Sequence, residues 1–141
     1  MRNRRTTRWA IEFGMRNLIK ILRLTARVLV AAQIVLGLLI WFGKISLTQA
    51  HIGIGSLFVL DLWALGIIAL FALSARGLSL LTLLMGGLIM WLGVAQTTLL
   101  VGPAHWAIRI LHLLLGISAM GLVEPLTKAL LAHYAERADQ H

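Results

Sequence analysis

Three histidines in the apolar part of the chain, His51, His105 and His112, are the residues whose type and spacing could do chemistry. Two of them follow similar phrases: Gly37-Leu-Leu-Ile-Trp-Phe-Gly43 precedes His51, and Gly87-Leu-Ile-Met-Trp-Leu-Gly93 precedes His105. Imidazole is the commonest metal ligand in proteins, and it also titrates near neutral pH. A repeated pair of histidines therefore favours a shared metal or cofactor over two unrelated polar residues.

The elements that must position these histidines are membrane spans. The chain has 141 residues, of which 60% are hydrophobic and only 13% are charged, whereas a soluble domain carries about a quarter charged residues. Its apolar residues fall in four runs, at residues 28–42, 52–73, 78–101 and 105–122. A helix needs roughly 20 such residues to cross the bilayer, and lipid offers the backbone no hydrogen-bond partners outside a helix. The sequence predicts an all-α membrane protein, a four-transmembrane-helix bundle.

The net charge of +8 is distributed like that of a membrane protein rather than a nucleic-acid-binding protein. Eleven basic residues flank the spans on one side and only Lys44 lies on the other. The positive-inside rule then predicts a multi-pass protein of the bacterial plasma membrane, with both termini cytoplasmic and the two histidine-bearing turns outside. The eleven residues are Arg2, Arg4, Arg5, Arg8, Arg16, Lys20, Arg23, Arg27, Arg76, Lys128 and Arg137.

Residues 1–27 form a basic segment that precedes the first span. Its apolar residues Ile11, Met15, Leu18 and Leu22 share one helical face, and Arg8, Arg16, Arg23 and Arg27 share the other. That pattern predicts an interfacial amphipathic helix lying on anionic lipid headgroups; a disordered basic tail is the alternative. The predicted organisation is this segment at 1–27, the bundle at 28–132 and a polar tail at 133–141.

The repeated phrase predicts two tandem helical hairpins. A shift of 50 residues aligns the two glycine-bounded segments, and a shift of 54 aligns Ala50-His51 with Ala104-His105. The form of Ser46-Leu-Thr-Gln49 is that of a capping box, which puts His51 in the second turn of its helix. Pro103 suits a first helical position, which puts His105 in the first turn. Hairpin symmetry then gives His51 and His105 equivalent depths near the outer face.

Two facing histidines could supply both axial ligands of a haem iron, and bundles hold cofactors in this way. Zinc needs three or four ligands, and no cysteine or carboxylate lies near the outer end of the spans. The absence of cysteine also excludes disulfides and covalent c-type haem. The predicted cofactor is therefore haem b, with His51 and His105 as the iron ligands.

Three further residues complete the predicted site. His112 lies seven residues after His105, two turns deeper on nearly the same face. It is the alternative second ligand, or else the hydrogen-bond partner of Asp61, a carboxylate that is expensive to leave alone in a membrane. Arg109 lies one turn below His105, where it could reach a haem propionate or extend to the headgroups.

The segments "QIVLGLLIWFG…TQAHIGIG" and "LVGPAHWAIRILHLLLGIS" resemble the haem A synthase family over about residues 30–122. The resemblance covers one of the two four-helix halves of those proteins, and it implies that His51 and either His105 or His112 ligate a haem near the outer face. The sequence departs from the family where Thr48 and Gln49 replace its glutamate and where its cysteine pair is absent. Oxidation of a haem methyl group is therefore not expected, whereas the haem-holding scaffold is.

The function that these features favour is a membrane b-type cytochrome that transfers one electron through a bis-histidine haem. Its partners would be the lipid bilayer, the haem and an electron donor and acceptor such as a quinone or a redox protein; a homo-oligomer is an open alternative. A haem A synthase-like enzyme or haem-handling protein is the first rival hypothesis. The second is a haem-free small transporter or complex subunit that uses Asp61, Arg109 and His112.

Overall fold

The computed structural model describes the backbone of residues 2–43 and 45–139 and the side chains of residues 9–43 and 46–138. The described chain is all-helical, with four α helices and no strand. The helices are α1 (Arg2–Trp41), α2 (Thr48–Ala72), α3 (Gly77–Ala95) and α4 (His105–Asp139), and a single 3₁₀ turn, Ile45–Leu47, precedes α2. The side chains of Arg2, Arg4, Arg5, Arg8 and Lys44, and residues 140–141, lie outside the described part.

All four helices are long and apolar enough to cross a membrane. The shortest, α3, has 19 residues, which span about 28 Å, close to the roughly 30 Å of a hydrocarbon core. The bundle also leaves large apolar side chains uncovered: Phe71 is 86% exposed, Val94 73% and Leu84 71%. So much exposed apolar surface is rare on a water-soluble monomer. The fold is consistent with a multi-pass membrane protein.

Neighbouring helices run antiparallel. Along α1 and α2, Gly37 lies beside His51, while Gln33, one turn earlier, lies beside Gly55. The same reversal relates α2 to α3, where Gly66 faces Leu83 and Gly86 faces Trp63. A core of buried aliphatic side chains fills the space between the helices, and its fully buried members include Ile19, Leu62, Leu65, Val123, Leu126 and Leu130.

Helix α1 is continuous across the predicted boundary between residues 27 and 28. The residues that it buries are Glu12, Ile19, Ala26 and Val30, which recur at nearly every second turn, and the last three belong to the same core cluster as the buried residues of α4. Ile11 and Leu18, on the predicted apolar face, remain 59% and 41% exposed. Helix α4 likewise runs to Asp139 without a break at residue 132. The interfacial orientation of residues 1–27 stays a prediction.

Helices α2 and α3 approach each other closely at two glycines. A Cβ at Gly86 would lie 2.7 Å from Nε1 of Trp63, and a Cβ at Gly66 would lie 2.8 Å from Cδ2 of Leu83. The Trp63 indole has little freedom to move, because its Nε1 donates a hydrogen bond of 3.1 Å to the carbonyl oxygen of Leu83. The contact therefore requires glycine at position 86, whereas a larger residue at position 66 would require the Leu83 side chain to move.

Gly86→Ala is expected to lower the free energy of unfolding in detergent by about 1–3 kcal/mol, because the added methyl group overpacks the α2–α3 contact. Gly87→Ala is the matched control, since nothing lies within 4 Å of a Cβ there. It gains the same helix propensity and is expected to be neutral or stabilising. Thermal unfolding of both variants measures the difference, and equal melting temperatures would contradict the packing argument.

Candidate functional site

One residue from each helix forms a layer near the end of the bundle that contains the α1–α2 and α3–α4 connections. We call these four residues, Gly37, His51, Gly93 and His112, the histidine layer. The imidazole centroids of His51 and His112 are 6.2 Å apart, and their planes are tilted by 55°. A Cβ at Gly37 would lie 3.4 Å from Cε1 of His51, and a Cβ at Gly93 would lie 3.5 Å from Cε1 of His112. Each imidazole ring therefore lies against a glycine of a neighbouring helix.

The start of α2 sets the depth of His51. The predicted capping box is wrong: α2 begins at Thr48, and the capping position is Leu47, which has helical dihedral angles and no side-chain cap. A 3₁₀ turn fills the place of the cap, and a short 3₁₀ segment is common at the N-terminus of an α helix. His51 is consequently the fourth residue of α2, in its first turn rather than its second.

Gln33 fixes α1 against α2 directly below the layer. Its Nε2 donates a hydrogen bond of 2.6 Å to the backbone carbonyl oxygen of His51, and a Cβ at Gly55 would lie 2.7 Å from the same nitrogen. Glycine at 55 thus gives the amide room to reach the His51 backbone. Gln33 was not predicted to have a role, although it is the one polar side chain in the apolar run 28–42, and that isolation was the available signal.

His105 lies above the layer, at the first residue of α4. Its Nδ1 is 3.3 Å from the carbonyl oxygen of Leu99 in the α3–α4 loop, and that loop reverses at Gly102, whose φ is 111°. The ring that lies opposite His51 belongs to His112. The structure therefore brings His51 and His112 together, and it places His105 at the start of the helix that carries His112.

Arg109 lies on the α1 side of this end of the bundle. The Cζ atom of its guanidinium is 5.9 Å from the centre of the Trp41 ring, a cation–π distance. The side chain is exposed. Trp41 belongs to the first repeated phrase and was not predicted as its partner. The expectation that Arg109 reaches a haem propionate stays a prediction.

The predicted hydrogen bond between Asp61 and His112 is absent. Asp61 is buried, with 6% of its surface exposed, and its Oδ2 has no hydrogen-bond partner. Nδ1 of His112 is also buried and unpaired. Asp61 lies ten residues along α2 from His51, or about 15 Å along the axis, which puts it well below the histidine layer.

The separation of the two histidine rings can be compared with that of two imidazoles that ligate one metal ion. Nδ1 of each ring is buried without a hydrogen-bond partner. A metal lies about 2 Å from an imidazole nitrogen, so two rings on opposite sides of one metal have centroids roughly 6 Å apart, close to the observed 6.2 Å. No group of three or more histidine, cysteine or acidic side chains among the described residues could hold a metal ion. Two imidazoles alone suit a metal whose other ligands come with it, as the four pyrrole nitrogens of a haem do.

Comparison with known proteins does not add to this description. No family model matches the chain, and no curated protein or solved structure matches it either. The resemblance to haem A synthases therefore stays a prediction from the quoted segments.

Proposed function

We propose that this is a four-span membrane protein that binds haem b between His51 and His112 and transfers single electrons. The observation that carries the proposal is the pair of half-buried imidazoles on α2 and α4, with centroids 6.2 Å apart and with both Nδ1 atoms buried and unpaired. Four apolar helices that could cross a membrane support the cellular setting. Of the two ligands considered for α4, we take His112, because it is the ring that lies opposite His51.

The chain's own residues would have three tasks at this site. His51 and His112 would both hold the iron. Gly37 on α1 and Gly93 on α3 would leave space beside the two imidazole rings. Gln33 would hold the backbone of His51 in place through its hydrogen bond to the carbonyl oxygen. Haem b would supply a one-electron iron couple, and ligation by both histidines would favour electron transfer over dioxygen chemistry because it would leave the iron no free ligand position. The electron donor and acceptor would be a quinone or a redox protein.

The proposal includes the arrangement in the membrane. Two tandem hairpins would each contribute one histidine to the layer, and the excess of basic residues at the other end would keep both termini in the cytoplasm. The histidine layer would then lie near the outer face of a bacterial plasma membrane. Residues 1–27 would contact the cytoplasmic headgroups on the way into the bundle.

The visible spectrum of the protein purified from membranes tests the proposal. We expect bound haem b, extractable with acidic acetone, at one haem per chain, and sharp low-spin bands that shift on reduction with dithionite. Carbon monoxide should leave the reduced spectrum unchanged, since both axial positions are filled. A colourless protein that also fails to bind added hemin would refute the proposal. Haem that passes quickly to apomyoglobin would instead favour the haem-handling hypothesis.

A further inference from the structure

A cluster of charged residues lies where α1 meets α4, towards the end of the bundle that contains the termini. We call it the basic groove; it consists of Lys20, Arg23 and Arg27 on α1 and of Glu124 and Lys128 on α4. Glu124 accepts hydrogen bonds from both arginines. Its Oε1 is 2.8 Å from Nε and 2.6 Å from Nη2 of Arg27, and its Oε2 accepts from Nη2 of Arg23. Helical spacing puts Lys20 one turn from Arg23 and Lys128 one turn from Glu124.

The basic groove has more positive charge than its single carboxylate can neutralise. Its five residues carry four positive charges and one negative charge, a net charge of +3. The side chain of Arg27 is 50% exposed, and Lys20 and Lys128 are exposed as well. In addition, Nε of Arg23 is buried and has no hydrogen-bond partner. The groove therefore offers cationic donors that the protein itself does not satisfy.

The surroundings of the groove are apolar and outward-facing. On α1, Ile21 is 60% exposed, Leu24 62% and Val28 59%, and all three lie within one turn of the arginines. Such residues suit contact with lipid chains, whereas a site for a soluble anion or a nucleic acid would have a polar rim. A ligand that suits both features has a phosphate for the cations and acyl chains for the apolar residues beside them.

We propose that the basic groove binds the phosphate headgroup of an anionic phospholipid. Basic pockets between transmembrane helices bind such headgroups, and each Lys or Arg near an anionic surface contributes about 1 kcal/mol. The arginines have a double role here, because they hold α1 to α4 through Glu124 and present their remaining N–H groups to the lipid. With the proposed orientation of the termini, the lipid belongs to the cytoplasmic leaflet. The inference does not depend on the haem.

Native mass spectrometry of the purified full chain, titrated with phosphatidylglycerol or phosphatidylcholine, tests the groove. We expect selective retention of phosphatidylglycerol, and we expect Arg27→Gln with Lys128→Gln to weaken it about 25-fold, which is about fivefold for each charge removed. Lys128→Gln alone should give the fivefold loss with an unchanged melting temperature, because Lys128 makes no ion pair in the described structure. Arg76→Gln is the matched control, since Arg76 is an exposed arginine next to the α2–α3 turn and outside the groove.

Glu124→Gln separates lipid binding from a merely structural ion pair. Removal of the carboxylate frees both guanidinium groups, so phosphatidylglycerol retention should rise about fivefold. Three results would overturn the proposal: equal retention of the two lipids, an equal loss in Arg76→Gln, or a fall in retention in Glu124→Gln. Displacement of the lipid by inorganic phosphate at equal concentration would also overturn it, because the acyl chains would then contribute nothing.

Discussion

His112→Ala is expected to abolish the six-coordinate haem spectrum of the purified protein and to weaken haem binding by more than about 100-fold. Loss of an outer-shell partner of a metal ligand costs 10–100-fold, and His112 is proposed as a direct ligand. His51→Ala should have the same effect, because the two rings would share one iron. Absorbance titration of the apoprotein with hemin measures the affinity, and the reduced spectrum shows the coordination.

His105→Ala is the matched control for this prediction. His105 belongs to the same helix as His112, and its Nδ1 is near the carbonyl oxygen of Leu99 rather than in the layer. Its replacement should leave the spectrum and the affinity unchanged within about twofold. None of the three variants should alter membrane insertion, which depends on span hydrophobicity and flanking charge. If His105→Ala lost the six-coordinate spectrum and His112→Ala kept it, the ligand assignment on α4 would be wrong.

The sequence predicted the four apolar helices and the position of His51 near one end of the bundle, because both depend on local patterns. Runs of about 20 apolar residues indicate helices whatever their neighbours are. The start of α4 was predicted two residues early, because Pro103 lies in the turn before a helix that begins at His105, although His105 does lie in the first turn as predicted. These features required no knowledge of how the helices pack.

The histidine that faces His51 could not be chosen from the sequence, because the repeat aligns positions along the chain and does not give their depths in the bundle. Gly37 lies four residues before the end of α1, and His51 is the fourth residue of α2. In the second hairpin Gly93 lies two residues before the end of α3, but His112 is the eighth residue of α4. The connection between α3 and α4 is longer, and α4 runs about one turn further than α2 before it reaches the layer, so the repeat aligned His105 with His51.

The long α1 helix is a second case in which packing between distant segments could not be predicted from the sequence. Its basic and apolar residues predicted a separate surface helix up to residue 27. In the structure Glu12, Ile19 and Ala26 are buried in a continuous helix, and the arginines that were predicted to contact only lipid also bind Glu124. A partner about 100 residues away gives no local signal, so the sequence could reveal the charges but not the groove.

The second large expected effect is a loss of haem affinity when Gly93 of the histidine layer is replaced by a large residue. A Cβ at Gly93 would lie 3.5 Å from Cε1 of His112, which is an ordinary contact, so Gly93→Ala should keep its haem. Leucine adds three more carbons beside the ring, where a planar ligand between His51 and His112 must extend towards α3. Overpacking of this kind costs about 1–3 kcal/mol, so Gly93→Leu should weaken haem binding about tenfold to 100-fold.

Gly87→Leu is the control for that series, because nothing lies within 4 Å of a Cβ at Gly87. Gly87 is also the residue that the sequence repeat aligns with Gly37. The Gly87→Leu variant should bind haem like the unaltered protein. Hemin titration of Gly93→Ala, Gly93→Leu and Gly87→Leu, with circular dichroism to confirm equal helix content, gives the comparison. If the haem occupies the space between the rings, affinity must fall with side-chain size at 93 and not at 87. Equal affinity in all three would mean that the space beside His112 is not where the cofactor binds.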